Sequence, residues 1–263
     1  MASIVEEPVS STRSELMVIA ASRALRDEDV VFVGIGLPNL ACNLAKRLHA
    51  PHLQMVYESG IYGADPDRQP LSIGDPCLAS RAACVSPLSE IFLFYLQRGL
   101  IDVGFLGGAQ VDRHGNLNTT AIGDYRSPKV RLPGSGGACD IATLAKRIFI
   151  IGSQSRKSFV EKVEFVTSAG KLPGGLRSEG AFGAGPQLVV TDLGVYDFDD
   201  DGELRVVSLH PGVTAEEVRS NTGWPIEVPD PVATTVPPAT EELRILRERL
   251  DPHHYYLKPV PPS

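Results

Sequence analysis

One glutamate stands where a ligand-binding crevice is expected. Glu58 closes the apolar run LQMVYESG, residues 53–60, and Ser59, Gly60 and Gly63 leave the following backbone open to a ligand. Open α/β sheets bind ligands beyond the carboxyl ends of their strands, and a carboxylate there can act as an acid, a base or a covalent nucleophile. Glu58 is therefore the leading catalytic candidate. A solvated loop glutamate is the structural alternative, and spacing alone weights the two equally.

A glycine turn is the second candidate, as a site for an anion. Gly34 and Gly36 join a β-branched run to a segment whose leucines and alanines recur at helical spacing. The free N–H groups at the start of such a helix favour an anion. A dinucleotide site is a minority alternative, because its fingerprint requires a third glycine where Asn39 stands. A tight strand-to-helix turn is the structural alternative.

Two stretches rich in glycine and amide side chains, residues 107–120 and 132–140, form the third candidate. Backbone N–H groups beside glycines are uncrowded and can stabilise an oxyanion in a dry site, while amide side chains add neutral donors. Turn formation is the structural alternative, because the same residue types favour turns. The candidate residues in these stretches are Gln110, Asn116, Asn118, Gly136 and Gly137.

The charge balance excludes some classes of partner. The 263 residues include 25 Lys and Arg against 32 Asp and Glu, for a net charge of −7. This acidic composition, without a basic stripe, argues against a nucleic-acid partner. Residues 1–15 lack the apolar core of a secretory signal, and no apolar run reaches membrane-spanning length. We therefore expect a cytoplasmic protein that does not bind membranes.

The cysteine and histidine pattern predicts no metal site. Cys42, Cys77, Cys84 and Cys139 never approach CxxC spacing, so they are expected to be buried, reduced thiols. The histidine at 114, in a turn, is expected to be a surface residue rather than a base, and the histidine at 210 is expected to have a structural role.

Alternating strand and helix patterns along the chain predict an open α/β sheet, mainly parallel, with helices on its faces. A hairpin is predicted from residues 188–198 and 203–210. The long turn-rich stretch 112–137 is expected to be a functional loop. Domain boundaries are predicted at 1–224 for the main domain and 225–263 for a Pro-rich linker and C-terminal helix packed on it. The remaining predicted helices cover residues 10–25, 37–50, 87–99, 139–145, 214–221 and 240–250, and the remaining strands cover 30–36, 53–60, 101–111 and 146–153.

Five motifs, in this order and spacing, resemble the β subunit of family I coenzyme A transferases, and in particular the glutaconate CoA-transferase B-subunit group. The resemblance covers roughly residues 12–222. The motifs are GIGLP (34–38), ESGIYG (58–63), GGAQVDRHGNLN (107–118), GSGGACD (134–140) and DLGVYDF with LHPGV (192–213).

The resemblance implies a function for the three candidate features. Glu58 falls on the family's catalytic glutamate, which becomes a covalent glutamyl-CoA thioester. Gly136 or Gly137 falls on the oxyanion-hole glycine, and the three amides fall in the stretch that lines the same pocket. Residues expected to contact CoA or another anion are Gly34, Gly36, Ser59 and Gly60.

The family further implies a fold, a substrate and a partner. We expect an open sheet with helices on both faces, of the kind that sugar-phosphate isomerases share, and an active site shared with a separate α subunit. Coenzyme A is expected as a substrate, with no permanently bound cofactor or metal. Two alternatives stay open: an acyl-CoA or ring-opening hydrolase that uses Glu58, and a noncatalytic module that binds anionic metabolites.

Overall fold

β-branched and aromatic runs form the centre of a large sheet. The computed structural model describes residues 10–66, 68–172 and 181–258. Within these residues one sheet has ten strands in the order β14-β13-β12-β11-β10-β5-β1-β2-β3-β4, and two small sheets pair β6 with β7 and β8 with β9. The strands are β1 (Val30–Phe32), β2 (Gln54–Tyr57), β3 (Ile61–Tyr62), β4 (Cys84–Val85), β5 (Val103–Leu106), β6 (Gln110–Val111), β7 (Leu117–Asn118), β8 (Ala121–Gly123), β9 (Pro128–Arg131), β10 (Arg147–Ile151), β11 (Pro186–Val190), β12 (Gly194–Phe198), β13 (Leu204–Leu209) and β14 (Ala233–Thr234).

The middle of the large sheet is parallel and its flanks are antiparallel. Strands β11, β10, β5, β1 and β2 run parallel to one another, as does the β13–β14 pair. Antiparallel pairing joins β11–β12–β13 at one flank and β2–β3–β4 at the other. The predicted open, mainly parallel sheet is confirmed.

Helices cover both faces of this sheet. Alternate strand residues face opposite sides: Val31 and Met55 belong to one hydrophobic cluster, and their neighbours Phe32 and Val56 belong to the other. The helices are α1 (Arg13–Arg23), α2 (Leu37–Leu48), α3 (Leu88–Glu90), α4 (Ala138–Leu144), α5 (Ala215–Ser220) and α6 (Thr240–Arg244). Helix α3 continues as a π-helical segment, Ile91–Leu96, and α6 continues as another, Ile245–Leu250. Helices α1, α2 and α6 contribute to the first cluster, while α4, α5 and the π-helical segment that continues α3 contribute to the second.

Three predicted elements differ in the structure. The run 101–111 is split, because β5 leaves the sheet at Leu106 and β6 pairs with β7 instead. The run 188–198 is also two strands, since the Thr191 hydroxyl accepts the N–H groups of Leu193 and Gly194 and turns the chain. The Pro-rich segment is more than a linker: it supplies β14, which pairs with β13 at the sheet edge.

The prediction of four buried thiols is wrong in part. All four cysteines are free, but only Cys42 is buried; Cys77 is partly exposed, and Cys84 and Cys139 are exposed. Cys84 lies on the edge strand β4, and Cys139 lies in the first turn of α4, so neither has a covering layer.

The C-terminal helix packs against the first helix. Thr12 caps α1, and the carboxylate of Glu15 accepts the Thr12 N–H at 2.7 Å. Arg247 donates to both oxygens of Glu15 at 2.6 and 2.9 Å, and this carboxylate is only 4% exposed. Burial raises the pKa of Glu15, but the hydrogen bonds from Arg247 and Thr12 outweigh it and leave the pKa below its ordinary value. The ends of the chain predicted as parts of the two domains, residues 1–9 and 259–263, lie outside the described residues.

Across residues 10–66, 68–172 and 181–258, none of the helices combines the length and the apolar character needed to cross a bilayer.

The ion pair between Arg247 and Glu15 predicts a pH-dependent contribution to stability. Arg247→Gln leaves the buried Glu15 carboxylate without its charged partner and should lower the free energy of unfolding by about 1–3 kcal/mol at pH 7. The pKa of Glu15 is lower in the folded protein than in the unfolded chain. The ion pair therefore stabilises the protein fully at pH values above the pKa of the unfolded chain, and this stabilisation is lost as the pH falls through the pKa of the folded protein. Urea unfolding at a series of pH values from 7 to 3 should show that the difference in free energy of unfolding between the wild type and Arg247→Gln decreases as the pH falls.

The matched control is Arg244→Gln, which removes an exposed pair with Glu241 inside one helix. Because solvent screens such an exposed pair, its removal is expected to leave the free energy of unfolding nearly unchanged. An Arg247→Gln protein as stable as the control would show that the contact between the two helices is not fixed by this pair.

Candidate active site

Glu58 lies in a sharp turn at the tip of β2. The turn consists of Glu58, Ser59 and Gly60, and it joins β2 to β3, whose Tyr57 and Ile61 are paired. Gly60 has φ +98°, and a Cβ there would lie 1.8 Å from the Ser86 carbonyl oxygen. The Ser86 N–H donates to the Gly60 oxygen at 2.9 Å. Only glycine fits at position 60, so the turn that carries Glu58 is fixed by backbone contacts.

The residue before Glu58 is anchored inside the protein. Tyr57 is fully buried and its hydroxyl donates to the side-chain oxygen of Asn39. Burial raises the pKa of Tyr57, so its hydroxyl stays a neutral donor. Asn43 in turn donates to the Asn39 backbone oxygen at 3.0 Å. Asn39, which interrupts the dinucleotide pattern, thus holds the end of the strand and lies buried in α2.

A small cavity of about 200 Å³ adjoins the carboxylate of Glu58. Most of its wall is apolar, and the rest consists of Glu58, one serine and three glycines. Among the described residues, no Lys, Arg or His lines it. The lining residues are Phe32, Val33, Gly34, Glu58, Ile73, Phe105, Leu106, Ser135, Gly136, Gly137, Ala138 and Ile141.

Gly137 is the glycine closest to the Glu58 carboxylate. A Cβ at position 137 would lie 3.5 Å from Glu58 Oε1 and 2.5 Å from the Phe92 ring. Gly137 precedes α4, and within the described chain its N–H and that of Gly136 have no acceptor. Gly136 is exposed whereas Gly137 is buried. Of the two glycines that the sequence left open, the structure brings Gly137 against the Glu58 carboxylate.

The Phe92 ring packs against Gly137. It packs on Phe32 with ring centroids 5.6 Å apart, and it belongs to the π-helical segment Ile91–Leu96. Sequence reasoning missed both aromatic residues, because their apolar spacing matches that of ordinary core positions. The nearest signal is the run IFLFYL, which is more aromatic than the other predicted helices.

The three amide candidates lie outside the lining of this cavity. Gln110 donates to Glu164 at 2.8 Å, and Asn118 donates to Gln110 at 2.8 Å. Asn116 donates to both oxygens of Asp112, at 3.1 and 3.0 Å. The geometry therefore gives these amides partners within the protein and makes them part of the scaffold of the small sheets.

That scaffold still reaches the glycine loop. Thr119 follows Asn118, and its hydroxyl and carbonyl oxygen form hydrogen bonds of 2.8 Å with the backbone of Gly134. Leu132 donates to Thr120 at 3.0 Å. The amide stretch thus acts on the cavity indirectly, by holding the start of the loop that ends at Gly137.

The remaining candidates divide between two places. Gly34 lines the Glu58 cavity, whereas Gly36 has φ +93°, and a Cβ added there would lie 3.8 Å from the Tyr256 ring. Gly60 shapes the turn that carries Glu58. The Ser59 hydroxyl oxygen is buried and has no hydrogen-bond partner within the described residues. No cluster of three or more metal-ligating side chains occurs among those residues either.

Comparison with known proteins identifies the family. The coenzyme A transferase family model matches residues 14–221. The chain belongs to the coenzyme A transferase family. This confirms the resemblance seen in the five sequence motifs.

Individual relatives cover nearly the whole chain. The chain is 51% identical over 237 residues to the 3-oxoadipate CoA-transferase B subunit of Pseudomonas knackmussii, a match that covers 89% of this chain and 91% of the relative. It is 36% identical to the glutaconate CoA-transferase B subunit of Acidaminococcus fermentans, over 94% and 95% of the two chains. The crystal structure of glutaconate coenzyme A-transferase from that organism matches with a TM-score of 0.88 at 32% identity, over 97% and 100%. A cholesterol ring-cleaving hydrolase IpdB subunit of Mycobacterium tuberculosis is 27% identical, over 92% and 96%.

The crowding at Gly137 predicts a local cost for a side chain there. Gly137→Ala places a methyl group inside the Phe92 ring contact, so the ring or the loop must shift, at a cost of about 1–3 kcal/mol of folding free energy. Gly34→Ala is the matched control, because nothing lies within 4 Å of the added Cβ, and it should change stability by less than about 0.5 kcal/mol. Denaturant unfolding compares the two. Equal stability of both variants would mean that Phe92 does not hold the loop.

Proposed function

We propose that the chain is the B subunit of a CoA-transferase and that Glu58 carries coenzyme A as a covalent glutamyl thioester during the transfer. The observation that carries the proposal is the position of one carboxylate at a rigid strand tip, against the backbone of Gly137, in a small apolar cavity. Family membership supplies the reaction class. Neither feature alone assigns the residue, because fold and family do not name a nucleophile.

The chemistry balances without an external energy source. The Glu58 carboxylate attacks the thioester carbonyl of an acyl-CoA, and the CoA thiolate leaves, giving a mixed anhydride between Glu58 and the acyl group. The thiolate then attacks the side-chain carbonyl of Glu58, the acyl group leaves as its carboxylate, and Glu58 holds CoA as a thioester. An acceptor carboxylate reverses these steps and departs as the new acyl-CoA. One thioester replaces another.

Two features of the site favour these steps. The tetrahedral intermediates carry an oxyanion, and we assign its hydrogen-bond donor to the N–H of Gly137, which has no acceptor among the described residues and belongs to a residue that adjoins the carboxylate. The apolar wall around Glu58 limits water, which would hydrolyse the anhydride. Phe92 and Phe32 contribute here by filling the space behind the loop.

A second subunit is proposed to close the cavity. The named CoA-transferase relatives are B subunits, which supports an A subunit as partner of this chain. Beside the site, four large apolar side chains are exposed, each by half or more of its surface. They are Val85 (64%), Leu88 (51%), Leu93 (53%) and Phe94 (54%). We assign this surface to the A subunit, and we expect the isolated chain to be inactive and the assembly to work in the cytoplasm.

The substrate is proposed to be a small carboxylate or dicarboxylate with its CoA ester. The relative at 51% identity is named for 3-oxoadipate, a dicarboxylate, and this supports the same substrate class. Because no cation of the described chain lines the cavity, the distal carboxylate of such a substrate must be matched by the partner subunit or remain in solvent. Segment 225–263 is proposed to belong to the same domain, since Leu243 and Leu246 pack in the cluster that α1 and α2 form.

A hydrolase is the second candidate function, supported by the ring-cleaving relative at 27% identity. The same carboxylate would then activate water or form an intermediate that water attacks. The higher identity to transferase subunits and the small apolar cavity favour the transferase.

Removal of the nucleophile tests the proposal. Glu58→Gln keeps the size of the side chain but cannot form the anhydride, so CoA exchange by the assembled pair should fall by at least about a hundredfold. Glu216→Gln, an exposed glutamate on α5, is the control and should leave exchange unchanged. Steady-state exchange between an acyl-CoA and a carboxylate measures both. Full activity of Glu58→Gln would remove this residue from the mechanism.

The products separate the transferase from the hydrolase. With the assembled pair, loss of acyl-CoA should depend on the added carboxylate acceptor, and each acyl-CoA consumed should appear as a new acyl-CoA. Chromatography of the CoA species measures this ratio. Free CoA formed at the same rate without an acceptor would favour the hydrolase.

A further inference from the structure

A surface groove of about 370 Å³ lies apart from the Glu58 cavity and shares no lining residue with it. It is lined by Arg156, which follows β10, by Arg219 in the last turn of α5, and by the segment 222–226. Strands β10, β5, β1 and β2 run parallel, so the chain leaves β10 at the same edge of the sheet at which it reaches Glu58. Open α/β sheets bind their ligands beyond this edge.

The two arginines of this groove carry positive charge that no carboxylate of the chain opposes. Arg156 and Arg219 are exposed, and neither has an acidic partner in the part of the chain that the structure describes. No Asp or Glu of the described residues lines the groove either. Six other arginines are each paired with a carboxylate, namely those at positions 13, 23, 68, 147, 205 and 247. In a chain with a net charge of −7, two unpaired guanidinium groups at one groove favour an anion from outside the chain.

A buried tryptophan supplies a third donor to this groove. Trp224 is only 5% exposed, and its indole N–H has no acceptor among the described residues. The side-chain polar atoms that are both fully buried and unpaired there are the hydroxyls of Ser59 and Ser168. The indole nitrogen therefore reaches the surface, and the groove is the surface that this residue lines. A donor on a side chain that is more than nine-tenths buried normally has an acceptor, so the vacant N–H indicates a ligand.

The floor of the groove is fixed before any ligand arrives. The N–H of Gly223 donates to the Phe159 carbonyl at 2.7 Å, and a Cβ at position 223 would lie only 2.7 Å from the same oxygen. The Trp224 ring stacks on the Phe159 ring with centroids 6.3 Å apart. The hydroxyl of the buried Thr222 accepts a hydrogen bond from the Gln154 side chain at 3.0 Å. Because this segment is already ordered, binding costs little conformational entropy of the backbone.

We propose that this groove binds a small oxyanion, a carboxylate or a phosphate, that is not a reactant at Glu58. Arg156 and Arg219 donate to its oxygens through their guanidinium groups, and Trp224 donates through its indole N–H. Hydrogen bonds from guanidinium groups to carboxylates and phosphates are the strong, charge-assisted kind. The indole ring adds an apolar wall for the carbon part of an organic anion. The inference goes beyond the proposed function, because it assigns a second site on the same chain.

The fluorescence of Trp224 reports on this groove directly, because it is the only tryptophan of the chain. The full chain is titrated with inorganic phosphate and with malonate, at an ionic strength that sodium chloride keeps constant. We expect a saturable change in emission with at least one of these anions. Arg156→Gln and Arg219→Gln should each weaken the binding by at least about tenfold, because each removes a charged hydrogen bond.

Arg126→Gln is the matched control, because it removes an exposed arginine from the turn between β8 and β9, outside the groove. It should bind the anion as the wild type does. Arg219→Lys keeps the charge but loses the planar donor geometry, so it should weaken binding less than Arg219→Gln. An emission change that does not saturate, or that chloride alone reproduces, would overturn the proposal. Equal binding by the control and by both groove variants would overturn it as well.

The two probes distinguish the kinds of ligand. Tighter binding of phosphate supports the proposal and assigns phosphate esters to the groove. Tighter binding of malonate supports it and assigns organic acids. Binding of neither anion contradicts the proposal.

The groove is separable from the reaction at Glu58. Glu58→Gln should bind the anion as the wild type does, and a loss would move the anion to the Glu58 cavity and overturn the proposal. Because the titration measures binding alone, an assembled pair that exchanges no CoA contradicts the proposed function and leaves this result standing. Calorimetric titration of the assembled pair repeats the comparison between the wild type and Arg219→Gln. Binding by the isolated chain that the pair lacks would place the groove in the contact with the A subunit and overturn the proposal.

Discussion

The backbone at Gly60 passes so close to the Ser86 carbonyl that a side chain has no room there, and the rest of the site depends on this contact. It closes the three-residue turn that carries Glu58 between β2 and β3. Tyr57 fixes the other side of the turn through Asn39. Because the turn is held from both sides, the backbone that carries Glu58 loses little conformational entropy when the residue is placed against a substrate.

The side of the cavity opposite Glu58 is formed by the loop that ends at Gly137, and other contacts hold it in place. Gly137 approaches the carboxylate because α4 begins there, and the Phe92 ring leaves space for a hydrogen but not for a methyl group. The loop before it is tied at Gly134 to Thr119. Hydrogen bonds therefore set where the loop starts, and aromatic packing sets where it ends. Together the two walls bring the glycine that begins α4 against a carboxylate in an apolar cavity, which is an arrangement suited to acyl transfer.

Much of this arrangement was predictable from local patterns. Alternating apolar runs predict the parallel centre of the sheet, and Glu58 lies at the end of β2 because the strand pattern stops there. Local patterns did not show that Gln110 and Asn118 bond to each other and that Gln110 bonds to Glu164, a contact that joins segments more than forty residues apart. They also gave no reason to select Phe92 over other apolar residues, because its role comes from the glycine that it touches across the fold.

The central claim is that Glu58 carries coenzyme A through a covalent bond to its side-chain carbonyl. The most direct measurement is mass spectrometry of peptides from the assembled pair after brief exposure to acyl-CoA without an acceptor, followed by acid quenching. The account predicts a peptide containing residue 58 whose mass is increased by coenzyme A with loss of water, and no such species in Glu58→Gln. An active enzyme in which coenzyme A is attached to another residue, or to none, would contradict it.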